Sequence, residues 1–292
     1  MVAFRKQKRV LPGKTSPIAN LWQGILPALV LMGAFFIVPI GYMVGLSFIG
    51  PEGDGPTLAN YGTFFANDRF TDALGRSLLL ASAAVAVASV FAYPLAYFLT
   101  FVVSTKRRMA LLFILIAPFW TSFTIRAFSW QLVLSDSGVV AYWLGKIFGG
   151  SVSLGFLYTM AASVFGLALF GVMLITLMVF SVMATIDGRL LEANRDLGGS
   201  EMRGFVEIVL PLSLPGWIVG AVLTFIICVG DYAVPTLLGG GFKPVLAQLM
   251  LSTLKGTYDL SMAATFAVIL VFVVLVAALP LSLLRRQTRL LQ

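Results

Sequence analysis

Residues 155–184 read GFLYTMAASVFGLALFGVMLITLMVFSVMA, 30 positions without one Asp, Glu, Lys or Arg. A helix needs roughly 20 apolar residues to cross about 30 Å of hydrocarbon, and this run exceeds that. In lipid every backbone amide must be paired internally, so such a run is read as a membrane helix. Working outward, runs of the same kind occupy 24–49, 77–103, 109–134, 212–238 and 261–284. The third of the six in chain order, 109–134, carries Arg126, and the fifth, 212–238, carries Asp231; the rest are uncharged. The expected fold class is therefore an all-α integral membrane protein of about six spans.

Composition agrees. Hydrophobic residues make up 59% of the chain and charged residues 11%, with a mean hydropathy of +0.98. A soluble globule carries about 25% charged residues, so this chain has too little polar surface to clothe one. Cys228 is alone, which excludes an internal disulfide, and histidine is absent. A Ser-His pair and an HExxH metal site are thereby excluded, and no second intramembrane Asp completes an aspartyl mechanism. An intramembrane hydrolase is set aside on these grounds.

The first apolar run follows a long charged leader, is longer than a signal core, and has no small-x-small pattern close behind it. It is expected to be a permanent anchor. Lys and Arg accumulate on the cytoplasmic side of a membrane protein. Here Arg5, Lys6, Lys8, Arg9 and Lys14, then Lys106, Arg107 and Arg108, then Arg189, Arg195 and Arg203, and finally Arg285, Arg286 and Arg289 all fall on one side. The alternate segments hold fewer: Arg69, Arg76, Lys146, Lys243 and Lys255. Both termini are expected in the cytoplasm of a bacterial cell, with the chain in the inner membrane. This bias also accounts for the net charge of +8 without a nucleic-acid partner.

Residues 1–20 read as a polar cytoplasmic tail and 21–292 as the transmembrane domain. The outer link 50–75 is acidic, with Glu52, Asp54, Asp68 and Asp72, and is expected to hold a short helix near 58–65. In the Gly-rich outer segment 138–154, Val139–Phe148 is amphipathic and expected to lie along the membrane surface. The inner link between spans four and five differs in kind: residues 187–211 carry eight charges of both signs.

That link and its continuation, 187–215, read DGRLLEANRDLGGSEMRGFVEIVLPLSLP. Leu190, Leu191, Asn194, Leu197 and Met202 space one helical face, while Glu192, Arg195, Asp196 and Glu201 keep the rest wet. Gly198 and Gly199 end or bend the first helix, and Pro211 and Pro215 mark a turn into the fifth span. The expectation is two short helices at the cytoplasmic face, suited to docking on a soluble partner.

Here the chain resembles the permease subunits of binding-protein-dependent ABC importers of the type I (MetI-like) fold. Their signature runs Glu-Ala-Ala, three residues, Gly, nine residues, Ile-x-Leu-Pro. This chain has Glu192-Ala193-Asn194, Gly198, and Ile208-Val209-Leu210-Pro211 with both gaps kept. The one departure is Asn194, where the family has a second small residue, and it is expected to loosen docking slightly. The resemblance implies that this segment is a coupling helix seated in a groove of a cytoplasmic ATP-hydrolysing subunit. Glu192 would then be the polar contact, Ala193 the close-packing one and Gly198 the bend. No GxxxxGK[ST] motif occurs in the chain, so ATP and Mg belong to that partner and this chain carries no cofactor. The motif also argues against a channel or a non-transporting scaffold. The broken half-helices common in secondary carriers are not located by this reading.

Two stretches resemble the spermidine/putrescine branch of the family: PFWTSFTIRAFSW at 118–130 and GDYAVPTLLGG at 230–240. Permeases for ferric iron, sulfate and organic phosphonates share pieces of both and remain the alternatives. The resemblance implies a second homologous permease, so that a heterodimer is expected, and a periplasmic binding protein. An ionisable residue inside a span costs about 2.5–3.5 kcal/mol and usually faces a cavity or a partner. On straight helices Arg126 and Asp231 would each lie about 25 Å above the inner edge. Two readings stay open. Either they pair and tie spans three and five together, or Asp231 meets a passing ammonium group. In the second case Trp120, Trp130 and Tyr232 offer aromatic faces, although each alone also reads as an interfacial anchor. A polyamine carries at least two charges, so further carboxylates would have to come from the partner permease or the binding protein.

Overall fold

A computed structural model describes residues 17–50, 55–150, 153–241 and 243–289. The basic tail residues Arg5 to Lys14 and the acidic Glu52 and Asp54 lie outside these. Among the described residues the regular structure is helical, apart from one isolated bridge between Ile49 and Pro56. Five helices are long and apolar enough to cross a membrane: Ile25–Ser47 (α1), Asp68–Val102 (α3), Met160–Met183 (α7), Glu201–Gly230 (α9) and Leu260–Leu281, the apolar part of Leu260–Arg289 (α12). Ala59–Ala66 (α2) is the short outer helix expected near 58–65.

The remaining expected span, 109–134, is not one helix. Thr105–Trp120 (α4) and Phe123–Phe148 meet at a bend of 95°, and the second piece itself divides into Phe123–Leu134 (α5) and Val139–Phe148 (α6). The cause is local. Ala117–Trp120 tightens into a 3-10 turn around Pro118, and Thr121 and Ser122 are extended. The Thr121 hydroxyl donates to the Pro118 carbonyl at 2.7 Å, giving the backbone a partner outside the helix ladder. A broken helix is thus present that hydropathy alone did not reveal.

The second of the two short helices expected between spans four and five also differs from expectation. Glu201–Gly204 passes through a π turn, Phe205–Val209, straight into Leu210–Gly230. Pro211 and Pro215 lie inside this continuous helix and mark no turn. The π turn closes just before Pro211, where the Leu210 amide donates to the Phe205 carbonyl.

The centre is a three-helix contact of α3, α7 and α9. Along α3 the buried positions Ala73, Ser77, Ala81, Ala84, Ala88, Ala92 and Ala96 form a stripe of small side chains, which lets neighbouring backbones come close. A Cβ on Gly171 of α7 would lie 2.8 Å from both Ala88 and Thr224, so this glycine sits where the three helices meet. A further cluster packs α2, α12 and Leu246–Ser252 (α11) around Phe64 and Phe266, edge to face at 5.7 Å. Exposed apolar side chains run the length of α1, among them Phe35 and Phe36. Such a surface is stable with lipid rather than water as its solvent.

Candidate functional site

Arg189–Asp196 (α8) is fastened to one end of the bundle. Leu191 packs with Phe205, Tyr97 and Phe101 against a core containing Met183 and Val209. The helix ends at Gly198, whose φ of +78° only glycine adopts without cost. Its amide donates to the Arg195 carbonyl at 2.9 Å, and the Gly199 amide donates to the Asn194 carbonyl at 2.8 Å. Ser200 then caps α9 by accepting from the Arg203 amide at 3.2 Å. An ion pair of 3.0 Å between Arg195 and Glu201 closes the corner.

Asn194 completes this closure. Its side-chain amide donates to the Ser200 carbonyl at 3.1 Å. A Cβ at Gly199 would collide with that amide, and one at Gly204 would lie 2.9 Å from it. Asn194 is therefore turned under the loop and holds the handle's shape.

The apolar face expected from spacing is split in the same way. Leu191 and Asn194 turn inward. Leu190, Glu192, Ala193 and Met202 are exposed, and Leu197 is 87% exposed. No described residue forms an ion pair or hydrogen bond with the Glu192 carboxylate. At the root of the handle Val209 is buried, Ile208 and Leu210 are half-buried, and Pro211 is exposed. Leu210 faces a groove with Tyr93 and Trp217, whose indole N–H donates to the Ser89 hydroxyl at 2.9 Å.

At the other end, Arg126 and Trp130 share a cavity of about 310 Å³ with Phe123, Phe170 and Val234. The guanidinium carbon of Arg126 lies 5.4 Å from the Phe123 ring centre and 5.6 Å from that of Phe170. Stacking on two quadrupoles is what steadies this charge. Asp231 is not its partner. Helix α9 ends at Gly230, and the Asp231 carboxylate accepts from the amides of Ala233 at 3.2 Å and Val234 at 2.9 Å. It thereby caps Ala233–Leu237 (named α10). The matching depth derived for straight helices lapses as well, since α4 and α5 are bent apart. Trp120 is 74% exposed and meets Phe113 edge to face at 5.4 Å, outside the cavity, and Tyr232 is also exposed. Of the five pathway candidates, then, Arg126 and Trp130 are brought together, while Asp231, Tyr232 and Trp120 do not line that cavity. Phe123 and Phe170 were missed; Phe123, one turn before Arg126, was the readable half of that pair.

The cap predicts a simple result. Asp231→Asn keeps an acceptor of comparable capping strength and should leave the thermal midpoint in detergent nearly unchanged. Asp231→Ala should lose about 1 kcal/mol. Equal losses in both would mean that the carboxylate does something other than cap.

The family model described as binding-protein-dependent transport system inner membrane component matches residues 92–288. The chain belongs to this family. It is similar to the spermidine/putrescine transport system permease protein PotB of Escherichia coli (strain K12), 33% identical over 66% of this chain and 70% of that protein. To PotB of Haemophilus influenzae (strain ATCC 51907 / DSM 11121 / KW20 / Rd) it is 30% identical over 76% and 80% of the two chains. Among solved structures, a bacterial ABC transporter involved in the import of the acidic polysaccharide alginate aligns with a TM-score of 0.72 at 18% identity, covering 92% of this chain and 95% of that one. An inward-facing MetNI methionine ABC transporter aligns at 0.52 with 20% identity, covering 73% and 93%. At these identities the structures speak for the fold alone, which is MetI-like. The permease is thus a multi-span inner-membrane transport component and not an enzyme.

Proposed function

We propose that this permease is one of two homologous membrane subunits of an importer for polyamines, spermidine and putrescine. A cytoplasmic dimer of ATP-hydrolysing subunits carries the ATP and Mg, and a periplasmic binding protein delivers the solute. Both termini, with residues 1–20 as a tail, face the cytoplasm, and 21–292 act as a single transport unit. The observation that carries this reading is the form of the handle. It is pinned to the bundle by Leu191, Asn194 and the Arg195–Glu201 pair, yet bare on its other side at Glu192, Ala193 and Leu197. A motor that grips the bare side moves α9 directly, because Ile208, Leu210 and Pro211 lie in the same continuous helix. Coupling then requires only that nucleotide binding favour one of two arrangements of the bundle.

The polyamine assignment is supported by the two PotB relatives. Among the proposed pathway residues Asp231, Tyr232, Trp120, Trp130 and Arg126, the Arg126 charge already occupies the faces of Phe123 and Phe170. Trp130, which meets Phe165 edge to face at 5.1 Å, is the remaining aromatic wall of that cavity. The carboxylates that a polycation needs come from the second permease or the binding protein. The test is ATP hydrolysis by the reconstituted complex with binding protein loaded with spermidine, putrescine or an uncharged solute. Stimulation by the polyamines is expected. No stimulation by either, or stimulation by the uncharged solute alone, would overturn the substrate assignment.

A further inference from the structure

Helix α6 is a short, rigid excursion. Its ten residues span about 15 Å, half of what is needed to cross a bilayer. Gly138 starts it at a corner too tight for a side chain, since a Cβ there would lie 2.6 Å from the Val133 carbonyl oxygen. Gly149, at φ +76°, ends it. Asp136 ties the two ends together by accepting from the Ser153 hydroxyl at 2.9 Å and the Leu154 amide at 3.0 Å.

Between these ties the helix has two distinct faces. Ala141 is buried and Val140, Leu144 and Gly145 are half-buried toward the protein. Val139, Tyr142, Trp143, Lys146 and Ile147 are exposed and fall at i, i+3, i+4, i+7 and i+8, a single stripe. A stripe of aromatic and aliphatic side chains with one cation does not suit water, and α6 is too short for the hydrocarbon core. Tyr and Trp gather where one end of the ring is dry and the other wet. Lys146 holds its ammonium 5.4 Å from the Trp143 ring centre, at the edge of the apolar stripe. Beside it the surface is hollowed into an open depression of about 520 Å³, walled by Asp136, Ala141, Tyr142 and Gly145. The exposed apolar surface also continues along α5 through Ile125, Phe128 and Leu132.

We propose that α6 is an interfacial platform whose Tyr142–Trp143–Ile147 face lies in the headgroup layer of the bilayer, with Lys146 holding a phospholipid phosphate in the adjoining depression. The continuity with α5 argues for lipid as the occupant, and Lys146 argues for the phosphate, since the Asp136 carboxylate in the same depression is already engaged by the Ser153 hydroxyl and the Leu154 amide. The test uses the full chain in nanodiscs of phosphatidylethanolamine and phosphatidylglycerol, spin-labelled at Ile147→Cys. Cys228, at 2% exposure, does not compete for the label. Labels at Phe35→Cys and Leu197→Cys supply the lipid and water references. Relaxation of the Ile147 label should be governed by oxygen rather than by a water-soluble nickel chelate, resembling Phe35. Lys146→Glu should shift it toward the nickel reading. An Ile147 label resembling Leu197 would mean a wet surface, and one reached by neither reagent would mean cover by protein; either overturns the platform. An unchanged reading in Lys146→Glu would remove the phosphate contact.

Discussion

Glu192→Arg should abolish solute uptake while leaving the permease folded and inserted. Folding is spared because the contacts that shape the handle lie elsewhere: Leu191 in the inner core, Asn194 on the Ser200 carbonyl, and Arg195 on Glu201. Glu192 contributes to none of them, and its carboxylate is exposed. If it meets a donor in a groove of the ATP-hydrolysing subunit, replacing it with a cation leaves that donor buried against a like charge. Losing one side of a buried charged contact costs about 2–5 kcal/mol, on the order of 30-fold or more in affinity. The ATP-hydrolysing subunit should therefore no longer copurify with the variant, and stimulation by loaded binding protein should vanish. Ser200→Ala is a useful companion, since it removes the α9 cap and leaves Glu192 and Ala193 unchanged, and should keep coupling. Normal uptake by Glu192→Arg would remove this residue from the coupling contact, and loss of the protein from the membrane would show that it shapes the handle instead.

The helices that sequence reading located well are those whose signal is local. Uncharged runs gave α1, α7 and α12 nearly to their ends, and the amphipathic pattern of Val139–Phe148 fixed α6. The handle was legible because its motif is short and its glycine has one backbone role. What escaped were features in which a polar group supports the backbone. Thr121 and Ser122 break a run that a hydropathy average treats as continuous, because the Thr121 hydroxyl replaces a helix partner. Asp231 was weighed as an intramembrane charge, yet it serves the amides of Ala233 and Val234, as an Asp two residues ahead of a new helix often does. The setting of Arg126 could not be read, because Phe170 reaches it only once α5 and α7 have packed. Asn194 looked like a flaw in a motif of small residues. It is accommodated because Gly199 and Gly204 leave room for it.

Small residues also carry the second large effect. Gly216→Leu in α9 should prevent the bundle from assembling. Gly216 and Gly220 are spaced as in the small-xxx-small pattern of close membrane helix pairs. A Cβ on Gly216 would lie 2.6 Å from the Met178 carbonyl oxygen of α7, and one on Gly220 would lie 3.0 Å from the Ile175 Cα. These are backbone neighbours, which cannot swing aside as the end of a flexible side chain can. Overpacking a core usually costs about 1–3 kcal/mol; here the two helices must part, and the cost should exceed that range. Because the α7–α9 contact holds the inner core on which Leu191 and the handle rest, separation would unseat the handle too. Gly41→Leu in α1 is the matched control, since a Cβ there meets nothing within 4 Å. In detergent, Gly41→Leu should run as a monodisperse peak with an unshifted thermal midpoint, whereas Gly216→Leu should aggregate or fail to accumulate. A Gly216→Leu protein as stable as the control would mean that α7 and α9 do not meet through this glycine, and the packing of the central three helices would have to be redrawn.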